Sequence, residues 1–225
     1  MRVLLLLLLA GCAPLGSVTR LPLCAGALQA YQLLPASQPG PRPVLVLLHG
    51  AGGTPASVLE PWRALAEREG VVLLAPRLPR RKAFEAAAPQ VLRCVVEDAA
   101  RTASLDLRRV YLFGYSMGGY LAVDAALAGG SPFAAAALFA PAVREEDRAA
   151  LDLSGRKVPF ALYASASDQV VPVEEVRQTR DLLAAHGFPL RYRELEGQGH
   201  AYAPVAEVVN PDAWTFLSAQ ALPPP

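Results

Sequence analysis

The chain has 225 residues, 53% of them hydrophobic and 18% charged, with a formal net charge of +1. Such a composition supplies one sizeable buried core in a single α/β domain. A near-neutral balance leaves no polyanion footprint, which argues against nucleic-acid binding. No cysteine and histidine cluster has metal-ligand spacing, and neither Gly-Lys-Ser/Thr nor Gly-x-Gly-x-x-Gly occurs in a cofactor-binding setting, so no metal and no cofactor are expected.

At the start, Met1 and Arg2 precede an unbroken apolar run over residues 3–9. The run is too short to span a bilayer core of about 30 Å and reads as an export signal. It ends in Leu9-Ala10-Gly11-Cys12, which resembles the lipobox of bacterial lipoproteins. That resemblance implies a signal peptide over residues 1–11, cleavage before Cys12 and acylation of that cysteine. It also implies a protein held in the bacterial cell envelope by a lipid anchor, each buried CH₂ adding about 0.8 kcal/mol. Ala13 follows the cysteine with no acidic residue, which leans toward the outer membrane. Cys24 and Cys94 then remain. In an exported protein they either join in a disulfide or stay as two buried thiols.

Residues 12–42 read as a tether with an edge strand over 27–34, closed by a proline-rich turn over 37–43 that excludes regular pairing. Residues 44–48 are continuously aliphatic, the pattern of a parallel strand buried on both faces. They run into His49-Gly50-Ala51-Gly52-Gly53. A helix is expected over 56–69, where Val58, Leu59, Trp62, Leu65 and Ala66 recur at helical spacing before Gly70. A second buried strand follows over 71–75. The loop over 76–89 carries Arg77, Arg80, Arg81 and Lys82, read as a solvated face, with anionic substrates or lipid head groups as the alternative. A helix over 90–103 leads to a strand over 110–113, a sharp turn and a helix over 120–128. An alanine-rich strand ending near Pro141, a polar segment over 144–148, a strand over 158–164, a helix over 174–186 and a strand over 190–195 complete the pattern. Strands alternating with helices predict a mostly parallel sheet covered on both faces, with ligands bound beyond the carboxyl ends of the strands.

Two loops at such ends carry chemistry. Gly114-Tyr115-Ser116-Met117-Gly118-Gly119 lies between strand and helix, where a serine at a strained corner exposes its hydroxyl above the sheet. The glycines of residues 50–53 leave backbone N–H groups free to face a developing negative oxygen. A serine also needs a base and a group to orient it. Of three histidines, His49 reads as a brace of its own loop and His186 as a helix C-terminal residue. His200, in a loop after the last strand, is the candidate base. Asp168, in a loop after the strand over 158–164, is the candidate orienting acid, with Asp147, Asp152 and Glu174 as weaker rivals.

Taken together, Leu48-His-Gly-Ala-Gly-Gly53, Gly114-Tyr-Ser-Met-Gly-Gly119, Ser167-Asp-Gln-Val-Val-Pro172 and Gly199-His200 resemble the α/β-hydrolase superfamily over residues 43–225. The likeness is to small carboxylesterases, dienelactone-hydrolase-like enzymes and exported polyhydroxybutyrate-depolymerase or feruloyl-esterase-like proteins. It implies an α/β-hydrolase fold and a serine hydrolase acting on small-molecule esters through an acyl-enzyme. Ser116 would attack, His200 shuttle the proton, Asp168 orient it, and the Ala51 and Met117 amides hold the oxyanion. The order Ser, Asp, His along the chain is the one this fold uses. Little chain separates the strand near Ala140 from that at Val158, so no large lid is expected and short or soluble acyl groups are favoured. Trp62, Tyr115 and Tyr202 are the substrate-binding candidates, with Phe84 and Met117 beside them. Two alternatives keep the same motifs or fold: a serine peptidase of prolyl-oligopeptidase type, and a non-catalytic envelope binding protein.

Overall fold

A computed structural model describes residues 18–20, 31–78, 82–143, 148–197 and 199–224. The leader, Cys12, Cys24 and Asp147 lie outside the described residues. Among the described residues eight strands form one sheet. They are β1 (Val18–Arg20), β2 (Tyr31–Leu34), β3 (Arg42–Leu48), β4 (Val72–Pro76), β5 (Leu105–Tyr115), β6 (Ala135–Phe139), β7 (Phe160–Ser165) and β8 (Leu190–Leu195). Their order is β1-β2-β4-β3-β5-β6-β7-β8. β1 and β2 pair antiparallel, as do β2 and β4, and every later pairing is parallel.

The parallel centre follows from the aliphatic runs. From Pro43 to Leu48 every residue of β3 is buried, and so is all of β4, β6 and β7. Successive strand residues face opposite sides, so unbroken burial requires helices on both faces. Helix α3 (Lys82–Ala100) packs on α4 (Met117–Leu127), whereas α7 (Ala206–Ser218) packs across β6 and β7 and against the turn at Glu60–Trp62. Helix α6 (Val173–Ala185) covers β7 and β8. From β3 the chain moves to β4 on one side, then crosses back through α3 to β5 on the other. The crevice this reversal opens lies at the carboxyl ends of β3 and β5.

Several elements differ from their sequence-based expectation. The helix expected over 56–69 is broken into α1 (Pro55–Leu59), a 3₁₀ turn (Glu60–Trp62) and α2 (Arg63–Glu69). Pro61 lacks the N–H that would carry a continuous helix through this point. Thr54 caps α1 in a reciprocal arrangement with Ser57, and Gly70 ends α2 in the left-handed region at φ 66°. Helix α3 starts before Pro89 and keeps that proline inside. β5 is eleven residues long because its charged first half runs beside Arg42 and the C-terminal segment, with Leu222 N–H donating to Arg108 O. Two helices lie where none was expected, α5 (Arg148–Leu153) and α7. Cys94 is disulfide-bonded rather than a free thiol, and its partner lies outside the described residues. No helix among the described residues is long and apolar enough to cross a membrane.

Candidate active site

Ser116 sits between the last residue of β5 and the first of α4, with φ 53° and ψ −121°. A non-glycine residue there carries about 1–3 kcal/mol of backbone strain that the surroundings must offset. They do so with three hydrogen bonds. Ser116 N–H donates to Phe139 O at 3.0 Å, and Ser116 O accepts from the N–H groups of Gly119 and Tyr120 at 2.7 and 3.2 Å. A side chain at Gly118 would place its Cβ 2.2 Å from Leu48 O, so only glycine lets α4 close onto the end of β3. At Gly50 a Cβ would lie 2.8 Å from the Tyr115 ring and 3.5 Å from Ser116 Cβ. The glycine loop after β3 is thereby brought into contact with the elbow.

His200 follows β8 and Asp168 follows β7, so three strand ends deliver three side chains to one place. His200 Nε2 lies 3.0 Å from Ser116 Oγ and His200 Nδ1 lies 2.8 Å from Asp168 Oδ2. The other carboxylate oxygen of Asp168 accepts the N–H groups of Val170 and Val171 at 2.8 and 2.9 Å. A carboxylate only accepts, so the proton shared with it belongs on Nδ1 and leaves Nε2 free to accept from the serine hydroxyl. This is the tautomer in which an imidazole can take a hydroxyl proton. The rival acids stand elsewhere: Asp152 faces His186 at 3.3 Å, and Glu174 pairs with Arg177.

Gly53 N–H donates to Gly50 O at 3.0 Å, closing a turn over Ala51 and Gly52 in which Gly52 takes φ 74°. The Met117 amide is the first of α4, one of those that a helix leaves without an internal partner. Among the described residues no backbone carbonyl engages the Ala51 or Met117 N–H. His49 acts as the brace that its sequence position suggests. Its Nδ1 contacts Gly50 O at 2.8 Å while Nε2 accepts the Leu78 N–H at 3.1 Å. The first contact requires Nδ1–H, so the ring is neutral and ties the glycine loop to the residues after β4. Burial, more than the Arg77 charge, holds its pKa below the ordinary value.

The three aromatic candidates separate. Tyr115 is half-buried beside the site, its ring 5.3 Å from that of His200. Burial first, then the Asp168 carboxylate, raises its phenol pKa. Trp62 and Tyr202, expected to contact substrate, are 0% and 3% exposed and belong to the core. Trp62 packs edge-on against Phe113, and the Tyr202 hydroxyl donates to Asn210 Oδ1. Sequence proximity to the site could not reveal that both rings turn inward. Two further residues were not anticipated. Tyr120, in the first turn of α4, has its phenol pKa raised by burial first and then by the Glu175 and Asp168 carboxylates. Ser167 Oγ accepts the Gly199 N–H at 3.0 Å, joining the Asp168 and His200 loops. Among the described residues no group of three or more His, Cys, Asp or Glu is arranged to hold a metal.

The profile of the alpha/beta hydrolase family matches residues 45–222. The chain belongs to the alpha/beta hydrolase family. As a hydrolase-family chain it is lean, since the connection from β6 to β7, where a lid domain would insert, occupies only residues 140–159. Three solved structures illustrate the shared fold. Esterase PE8 is 23% identical with a TM-score of 0.70, the match covering 83% of this chain and 96% of that one. Esterase 2 of Thermogutta terrifontis, phosphorylated by paraoxon, is 20% identical with a TM-score of 0.75, covering 92% and 95%. A puromycin-hydrolyzing peptidase of Mycobacterium tuberculosis is 17% identical with a TM-score of 0.71, covering 91% of this chain but 40% of that one. Among curated proteins none matches the sequence significantly.

Proposed function

We propose that this chain is a serine hydrolase that cleaves carboxylic esters with short or soluble acyl groups through an acyl-enzyme. The observation that carries the reading is the unbroken line from Ser116 Oγ through the His200 ring to Asp168. Ser116 Oγ attacks the ester carbonyl carbon while His200 Nε2 takes its proton. The oxyanion that forms is held by the Ala51 and Met117 amides. As the carbonyl re-forms, the ester C–O bond breaks and the leaving alcohol takes the proton from His200. Water then repeats the sequence on the acyl-enzyme, with His200 as base, and releases the acid. The short connection between β6 and β7 has no room for a large lid, which supports small or soluble substrates over lid-gated lipids.

The test is hydrolysis of p-nitrophenyl esters from acetate to palmitate, beside Ser116→Ala. The parent protein is expected to prefer short chains, and the variant to lose at least about a thousandfold in kcat. A folded protein with no activity on any of these esters, or one whose activity survives Ser116→Ala, would overturn the proposal. The same triad serves amide cleavage, and the structural likeness to the puromycin-hydrolyzing peptidase makes aminoacyl amides the comparison substrate. The lipid anchor is likewise a proposal. It rests on the sequence around Cys12 and predicts metabolic labelling by a fatty acid in the bacterial envelope that Cys12→Ser abolishes.

A further inference from the structure

The His200 loop is supported unevenly. On its leading side Gly197 and Gly199 take φ 68° and 63°, and a Cβ at either would meet open space. Among the described residues the tie there is the exposed contact from Gly199 N–H to Ser167 Oγ. On its trailing side, two residues beyond His200, Tyr202 enters the core. Its ring centroid lies 5.0 Å from Phe113, 5.8 Å from Tyr115 and 6.3 Å from Phe139. Its hydroxyl donates to Asn210 Oδ1 at 2.6 Å, and Asn210 Nδ2 donates to Pro61 O at 2.9 Å. Asn210 is 2% exposed on α7. A buried chain of hydrogen bonds thus runs from the His200 loop through α7 to the 3₁₀ turn after α1. The Tyr115 ring stands between the two, in contact with His200 at 5.3 Å and with Tyr202 at 5.8 Å.

We infer that Tyr202 and Asn210 are positioning residues that hold His200 on the line between Ser116 and Asp168. The inference rests on the hydrolase reading above. Neither residue touches the reacting atoms. Their hydrogen bond fixes where the loop leaves the site and, through the Tyr115 ring, limits how far the imidazole can swing. A buried tyrosine hydroxyl with a single amide acceptor gives one allowed position, whereas packing alone would tolerate sliding. A displacement of the base of about 1 Å can cost about a hundredfold in rate.

The experiment compares the parent protein with Tyr202→Phe and with Tyr202→Phe/Asn210→Leu. The double variant removes the hydroxyl together with its acceptor, and gives up the Asn210 donation to Pro61 O as well. Three measurements are made well below the melting temperature: steady-state kinetics giving kcat and KM on p-nitrophenyl butyrate, the rate of Ser116 labelling by a fluorophosphonate, and the low-field proton resonance of His200 Nδ1–H. Both variants are expected to lose about tenfold or more in kcat with KM within about twofold, in keeping with misplacement of a catalytic group. Labelling should slow in parallel and the resonance should broaden. A merely structural role would lower the melting temperature and leave all three unchanged. That outcome in either folded variant, or recovery of the parent kcat in the double variant, overturns the inference. Failure of the hydrolase reading looks different. Ser116 of the parent would then resist labelling, while the resonance, which needs no substrate, would still depend on Tyr202.

Discussion

Asp168→Asn separates orientation of the base from integrity of the fold. In the native site Oδ1 accepts two backbone N–H groups and Oδ2 faces His200 Nδ1. An asparagine offers one acceptor oxygen and one NH₂ group. Two fixed backbone donors against one imidazole decide which way it turns: the oxygen takes the Oδ1 position and the NH₂ takes the other. The reverse placement would set an NH₂ against two N–H donors at a side chain only 1% exposed, at a cost of about 1–3 kcal/mol for the groups left unpaired. The NH₂ then donates to Nδ1, which must accept, and the ring proton moves to Nε2. Nε2 now presents a hydrogen to Ser116 Oγ where it presented a lone pair. The expected loss is about 10⁴-fold in kcat, the scale seen when a triad base is locked in the wrong tautomer. That corresponds to about 5 kcal/mol of barrier. Both backbone bonds to the side chain persist, so the thermal midpoint should stay close to that of the parent. The assay is kcat on p-nitrophenyl butyrate beside a thermal melt. A folded variant within tenfold of the parent would refute the tautomer argument.

Two other substitutions probe the loops that surround the elbow. Gly118→Ala sets a methyl group 2.2 Å from the Leu48 carbonyl oxygen, backbone that cannot yield without moving the glycine loop. Urea unfolding should show a loss of about 1–3 kcal/mol or more, with kcat falling as well, and unchanged stability would contradict the close approach. His49 predicts a pH effect. Its folded pKa lies below the ordinary 6.5, so on acidification the unfolded chain binds a proton that the folded protein refuses, and stability falls as pH drops through 6.5. Comparing urea midpoints at pH 7.5 and 5.5, the parent should lose more stability than His49→Gln. Equal losses would remove His49 from the account.

The sheet and the meeting of Ser116, Asp168 and His200 were legible because both are written in short local patterns. Residues 44–48 and 71–75 are aliphatic without interruption, which only two covered faces allow. Ser116, Asp168 and His200 each stand in a loop after a strand, so the topology brings them together once the strands align. What escaped the sequence depends on distant partners. Asp106, Arg108 and Arg109 do not read as strand, and β5 extends through them because Arg42 and Leu222 lie alongside. Pro61 broke a helix whose apolar spacing continued past it. Pro211 obscured α7, which packing against β6 and β7 holds in place. The orientation of Trp62 and Tyr202 is set by Phe113 and Asn210, residues far from either in the chain.

The site is stitched from parts remote in sequence. The contact between Ser116 and His200 spans 84 residues, that between Asp168 and His200 spans 32, and the bond from Asn210 to Pro61 spans 149. Closing loops of this length is slow and costs entropy before any contact rewards it. The three side chains meet only once β5, β7 and β8 are aligned in one sheet. During refolding, turnover should appear only with the final cooperative step, after helix signals have recovered, and a proteolytic cut between β5 and β8 that lets the pieces separate should abolish it outright. Catalytic rate then counts completely assembled molecules.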